Sequence, residues 1–167
     1  VRGAGGRAFC AGGDIRAVVE RARTHGVAAT VPFFHDEYRL NWRIARFPKP
    51  YVALVDGLTM GGGVGISVHG RFRVATERTI FAMPETGIGF FPDVGGTWFL
   101  PRCPGETGLY LGLTGARADG GDCLALGVAT HFVPSAALPA LTADLAEGRE
   151  PAVALAAHAV AAPPSAI

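Results

Sequence analysis

Lys49-Pro50-Tyr51-Val52-Ala53-Leu54-Val55-Asp56-Gly57 and, after Leu58-Thr59-Met60, the run Gly61-Gly62-Gly63-Val64-Gly65-Ile66-Ser67-Val68-His69-Gly70 carry the strongest structural signal in the chain. The apolar run Tyr51 to Val55 ends at Asp56-Gly57 and reads as a strand buried on both faces. The glycine density that follows opposes a helix by roughly 1 kcal/mol per residue relative to Ala. Close approach of a ligand or of another backbone is the usual reason for such a run.

On the C-terminal side, Phe72-Arg73-Val74-Ala75 and Thr79-Ile80-Phe81-Ala82 read as two short strands, the second entering Met83-Pro84-Glu85. A loop reaches Pro92-Asp93-Val94-Gly95-Gly96. Helical stretches are expected near Thr97 to Leu100, Glu106 to Leu113 and Asp119 to Leu126, then a strand from Val128 to Val133 and a helix from Ser135 to about Glu147. On the N-terminal side, Ala8-Phe9-Cys10-Ala11 reads as a loop feeding a helix that Asp14 caps and that runs to about Arg23. A second helix spans Phe33 to about Phe47, with Phe34, Tyr38, Trp42 and Ala45 on one apolar face and Pro48 stopping it. Strands separated by helical crossovers predict an α/β domain. Residues 1–148 are expected to form its core, and residues 149–167 the start of a C-terminal helical region or a tail.

At 167 residues and 49% hydrophobic, the chain can bury a core of its own. Its 15 basic and 14 acidic residues give a net charge of +1 without long runs of one sign, which argues against nucleic acid or an anionic membrane as partner. A small-molecule partner is favoured, and homo-oligomerisation stays open. Cys10, Cys103 and Cys123 are widely spaced, which indicates neither a disulfide framework nor a zinc site. A reducing cytoplasm is expected from them. Only Lys49 among the basic residues is lysine, which with the Ala and Gly content suggests GC-rich coding and a bacterial source.

Two glycine segments, Cys10 to Asp14 and Met60 to Gly63, place unhindered N–H groups at expected helix starts, where negative charge is favoured. Brought together they would make a two-donor oxyanion hole, and such a donor is worth about 3 to 4 kcal/mol of barrier. Tight turns and close helix packing explain the same glycines equally well. Glu85 and Asp93 are acids in apolar, glycine-rich surroundings, where desolvation raises a carboxyl's pKa and suits it to acid/base or nucleophilic work. The plain alternatives are that Glu85 completes a turn and Asp93 caps the following helix. His69 and His131 lie in apolar patterns and read as core residues, no histidines and carboxylates share metal-ligand spacing, and Ser67 lacks a Gly-x-Ser-x-Gly elbow.

Ala8-Phe9-Cys10-Ala11-Gly12-Gly13-Asp14-Ile15, Lys49-Pro50 through Gly61-Gly62-Gly63, Phe81-Ala82-Met83-Pro84-Glu85, Leu113-Thr114-Gly115 and Gly127 to His131 together resemble the crotonase (enoyl-CoA hydratase/isomerase) superfamily, from about residue 1 to 147. The resemblance implies a ββα-spiral fold, an acyl-CoA substrate and an oxyanion hole from the N–H groups of Gly13 and Gly62. Ala11 to Ile15 would lie along the CoA, and no cofactor beyond the substrate's own CoA is implied. Superfamily members extend before Val1 and beyond residue 150, so the fold is expected to be incomplete at the N-terminus and to lack most of a C-terminal helical region.

One departure from the superfamily pattern matters for the reaction. Hydratases carry a glutamate three residues after the middle glycine of the run, where this chain has Gly65, and a second that Glu85 matches. Asp93, within Phe90-Phe91-Pro92-Asp93-Val94-Gly95-Gly96, supplies another carboxylate. That block, with Thr59 to Gly65 and Ser67 to Gly70, resembles the 3-hydroxyisobutyryl-CoA hydrolases of valine breakdown, and Glu37 matches a substrate-contacting glutamate of that group. The readings are therefore hydrolysis of a 3-hydroxyacyl-CoA, hydration or isomerisation of an enoyl-CoA, and binding of acyl-CoA without turnover. Gly65→Ala is expected to be mild, since it only adds a methyl group.

Overall fold

The computed structural model describes residues 1–167. Six short strands, β1 (Ala8–Cys10), β2 (Val52–Val55), β3 (Leu58–Met60), β4 (Phe72–Ala75), β5 (Ile80–Ala82) and β6 (His131–Phe132), form two parallel three-stranded sheets ordered β1-β3-β5 and β2-β4-β6. Consecutive strands belong to different sheets. After β2 the chain turns at Asp56-Gly57 and enters the other sheet as β3, and after β4 it turns through Thr76 to Thr79 and crosses again as β5. Two strands, a corner and a helical return repeat along the chain, which is the ββα spiral.

Eight helices fill the returns: α1 (Ile15–His25), α2 (Val31–Ala45), α3 (Gly62–Gly65), α4 (Gly96–Phe99), α5 (Thr107–Thr114), α6 (Gly120–Ala125), α7 (Leu138–Ala146) and α8 (Pro151–His158). Asp14 caps α1, its side chain accepting from Ala17 N at 3.0 Å. Asp119 and Asp122 form a reciprocal capping box at α6. The main core gathers Val64, Phe81, Met83, Val94, Phe99 and Leu111 between the sheets and helices α3 to α6. A second cluster packs Leu141 of α7 and Leu155 of α8 against Leu54, Val74 and Val133.

The corners are stapled to one another. Asp56 accepts from Thr76 Oγ1 at 2.8 Å and from Arg78 Nε at 2.9 Å, tying the β2–β3 corner to the β4–β5 corner. Thr79 Oγ1 donates back to the Val55 carbonyl.

Three expectations from the sequence are corrected here. Ala8 to Cys10 is a strand rather than a loop, and Leu58 to Met60 is a further strand; each is three residues long and too short for a visible alternation. The strand expected over Val128 to Val133 shrinks to His131–Phe132. On α2 the buried residues are Asn41 and Ile44, while Trp42 is 58% exposed, so the face that packs is rotated from the one its aromatic residues suggest.

Candidate active site

The parallel direction of β1, β3 and β5 sends all three C-terminal ends to one side, with β3 in the middle. Each end is followed by one element of the site: β1 by Gly12-Gly13, β3 by Gly61-Gly62 and β5 by Glu85. The central position of β3 puts its glycines against both neighbours. A Cβ at Gly62 would lie 3.5 Å from Gly13 N, and one at Gly61 would lie 3.2 Å from Glu85 Oε1. The Gly13 N–H meets no acceptor within the protein. Gly62 opens α3, where the first amides lack intrahelical partners. Gly63 must be glycine, because any Cβ there would collide with the Cys10 carbonyl.

Helix α2 lies across this edge and supplies a third carboxylate. Glu37 stands against Gly62, with its Oε1 in the space a Cβ would need. Tyr38, beside it, donates its hydroxyl to Asp93 Oδ2 at 2.7 Å. Asp93 does not cap α4; the residue at that helix start is Gly95, and no side chain caps it. The turn reading of Glu85 is also insufficient, since its Oε2 is buried and no protein donor reaches it.

Glu37, Glu85 and Asp93 thus converge without a cation paired to any of them. Burial pushes the Glu85 carboxyl above its ordinary range; a backbone hydrogen bond offsets part of this, and the charges of Asp93 and Glu37 add to the rise. Burial, then the charge of Asp93, raises Glu37. Asp93 is raised by burial against the opposing hydrogen bond from Tyr38. Tyr38 itself is held well above the usual phenol range by burial, by that hydrogen bond and by both acids. A carboxylate whose charged form is disfavoured in this way is a stronger base and nucleophile than an exposed one. That suits proton transfer or attack on a carbonyl polarised by Gly13 and Gly62.

Behind these acids, the space beside Gly65 is closed. A Cβ at Gly65 would meet Val94 Cβ at 2.6 Å and Asn41 Oδ1 at 2.8 Å. A side chain at 65 therefore has no room, and the expectation that Gly65→Ala is mild is corrected. Asn41 is buried with neither amide atom hydrogen-bonded to protein, at a cost of about 1 to 3 kcal/mol for each group left unpaired. Tyr38 and Asn41 also line a cavity of about 640 Å³ with Trp42, His69, Trp98 and Cys103.

Of the other residues singled out, Ala11 is exposed between β1 and α1, and Ile15 is 41% exposed at the start of α1. Both flank Gly13 on an open surface. His131 lies in β6 and pairs with Thr130 Oγ1 at 2.9 Å, away from the carboxylates. Four residues had no site role in the sequence reading: Tyr38 and His69 read there as packing residues, and Asn41 and Val94 had no role of their own. The signal that could have found Asn41 is its place one helical turn after Glu37, on the same face.

The sequence matches the family described as "Enoyl-CoA hydratase/isomerase" over residues 1–166. The chain belongs to the enoyl-CoA hydratase/isomerase family. Among relatives of this family it is 61% identical over 145 residues to the mitochondrial 3-hydroxyisobutyryl-CoA hydrolase of Xenopus tropicalis, which covers 87% of this chain and 37% of that protein. It is 56% identical over 151 residues to the mitochondrial 3-hydroxyisobutyryl-CoA hydrolase of Homo sapiens, covering 90% of this chain and 39% of the other. The structure of a carnitinyl-CoA dehydratase from Mycobacterium thermoresistibile superposes with a TM-score of 0.93 at 49% identity, over 99% of this chain and 48% of that one. The chain thus spans less than half the length of these relatives.

The cytoplasmic, bacterial placement expected from composition is overturned, because both hydrolases are named as mitochondrial. Free thiols report a reducing compartment but do not distinguish the cytoplasm from a mitochondrial matrix.

Proposed function

We propose that the protein of which this chain forms a part hydrolyses the thioester of a 3-hydroxyacyl-CoA, 3-hydroxyisobutyryl-CoA foremost, as a step in valine breakdown. The observation that carries this reading is the closed space at Gly65 beside the paired carboxyls Glu85 and Asp93. Adding water across a double bond calls for two positioned acid/base groups, and a glutamate at 65 is sterically shut out. The names of the curated relatives support the same reading.

In this mechanism Gly13 and Gly62 donate their N–H groups to the thioester oxygen as it gains charge. Glu85 either attacks the carbonyl carbon or takes a proton from the attacking water. The C–S bond breaks and the CoA thiolate leaves and takes up a proton; with water as the attacker the free acid forms directly, and with Glu85 as the attacker an acyl-Glu85 anhydride forms, which water then hydrolyses to the free acid and the Glu85 carboxylate. Asp93 orients the 3-hydroxyl, Glu37 contacts the substrate, and Ala11 to Ile15 lie along the CoA. No cofactor is needed beyond the CoA that the substrate brings.

The deciding experiment follows thiol release from 3-hydroxyisobutyryl-CoA beside hydration of crotonyl-CoA by the intact protein. Faster thiol release is expected. Faster hydration would transfer the assignment to an enoyl-CoA hydratase, and binding of both esters without turnover would leave an acyl-CoA-binding protein.

A further inference from the structure

Val94, next to Asp93, is the only residue other than glycine with a left-handed backbone, at φ 42°. A β-branched side chain disfavours that region, so something must hold it there. Gly96 N donates to the Asp93 carbonyl at 2.6 Å, and Gly95 follows Val94 with φ 87°. Residues 93–96 therefore form a tight turn with positive φ at both central positions, a type that Asn and Gly favour and Val does not.

Two contacts oppose relaxation of this turn. The Val94 side chain is buried against Gly65. The Val94 carbonyl accepts from His69 Nε2 at 2.7 Å, which requires the imidazole to carry its proton on that nitrogen. The His69 ring lies so close over Gly95 that a Cβ there would stand 2.6 Å from Nε2, and it leans on Trp98 with centroids 6.3 Å apart. Residue 95 must be glycine because the ring occupies its side-chain space.

We propose that His69 is the positioning residue for Asp93: through its hydrogen bond to the Val94 carbonyl it locks the 93–96 turn and so aims the Asp93 carboxylate at Tyr38 and the cleft. His69 hydrogen-bonds the Val94 carbonyl and none of Glu37, Glu85 or the Asp93 carboxylate. It acts 25 residues away in sequence, by satisfying a buried carbonyl that would otherwise draw the turn toward negative φ. The inference rests on the hydrolase reading for its kinetic consequence but not for its geometry, and the test separates the two.

His69→Phe keeps the ring and removes the donor, whereas His69→Gln keeps an N–H that reaches the same carbonyl. Thioester cleavage by the intact Phe variant should lose on the order of tenfold to a hundredfold in kcat, with KM little changed, as expected when a reacting group is misplaced rather than removed. The Gln variant should recover most of the loss. Independently of turnover, protein carrying fluorotyrosine should show its Tyr38 fluorine resonance, assigned with Tyr38→Phe, shifted in the Phe variant and restored in the Gln variant. If no thioester is cleaved by the parent, the fluorine signal still decides the positioning role while the hydrolase reading fails. An unmoved Tyr38 resonance and unchanged kcat in the Phe variant would overturn the proposal. So would a folded Gln variant that loses tenfold or more in kcat against the parent and whose Tyr38 resonance is shifted, because the imidazole would then act by packing or by its own chemistry; this comparison of the Gln variant with the parent stands even if the Phe variant does not fold.

Discussion

The two ends of the β1-β3-β5 sheet treat their carboxylates in opposite ways. At the N-terminal end, Asp56 accepts hydrogen bonds from Thr76 and Arg78 across the corners that precede β3 and β5. Burial alone would raise its carboxyl, but the Arg78 and Thr76 hydrogen bonds and the guanidinium charge outweigh that and hold it below the ordinary range. At the C-terminal end, Glu85 has an oxygen with no donor, and Glu37 and Asp93 stand close enough to repel it. One end uses charge to join successive turns of the spiral. The other keeps charge unpaired beside two glycine amides, a loss of stability that makes sense only if something else meets those groups.

The contrast has an opposite sign in pH. Asp56 is lowered in the folded state, so its contribution is present above the ordinary 3.8 and is lost as pH falls through the folded value. Glu85 is raised, so the fold binds that proton more tightly than the unfolded chain does. Its contribution is present below the ordinary 4.5 and is lost as pH rises through the folded value.

Glu85→Gln should break the contrast most. Thiol release should fall at least about 100-fold in kcat while CoA-ester binding survives, and melting temperature should lose less as pH is raised above 4.5 than in the parent. A variant with parental kcat would take Glu85 out of the chemistry.

Gly65→Ala comes next. With Val94 Cβ 2.6 Å from the new methyl, it should cost about 2 kcal/mol in chemical denaturation, and activity should drop because the displaced neighbours are Val94 and Asn41. Parental stability would mean that the wall beside Gly65 yields without cost.

Asp93→Asn should reduce cleavage of 3-hydroxyacyl-CoA esters about tenfold more than cleavage of esters lacking the hydroxyl, the size of one charge-assisted hydrogen bond. Measuring kcat/KM on both substrates gives the ratio. An equal loss on both would make Asp93 a general acid or a structural one rather than a reader of the hydroxyl.

The smallest effect belongs to the other end. Asp56→Asn should cost about 1 kcal/mol of stability at neutral pH, less in acid, and leave kcat untouched. A change in kcat would show that the two ends are coupled through β3 and β5.

Local chemistry made a large part of this legible before any coordinates. Asp14 announces a helix start, the Tyr51 to Val55 run announces a buried strand, and Glu85 and Asp93 stand out because acids are rare in such apolar, glycine-rich surroundings. Strands β1 and β3 were not legible, because three residues cannot display an alternation and both lead straight into glycine turns. The aromatic residues of α2 misled for a different reason. Trp42 faces a cavity rather than the core, and hydrophobicity does not say which apolar side chain is covered.

What the sequence determined by itself is the list of candidate parts: two glycine segments, two carboxylates in apolar surroundings, and glycine at the position where the resemblance to hydratases places a second glutamate. Those depend on residue type and near neighbours. Only the tertiary structure decided how the parts are aimed. Parallel pairing with β3 in the centre sets Gly61 beside Glu85 and Gly62 beside Gly13, and the partners that orient Asp93 come from 55 residues away, in Tyr38, and through Val94 from His69. Contacts that distant leave no periodicity in the chain, because they exist only once the spiral has closed.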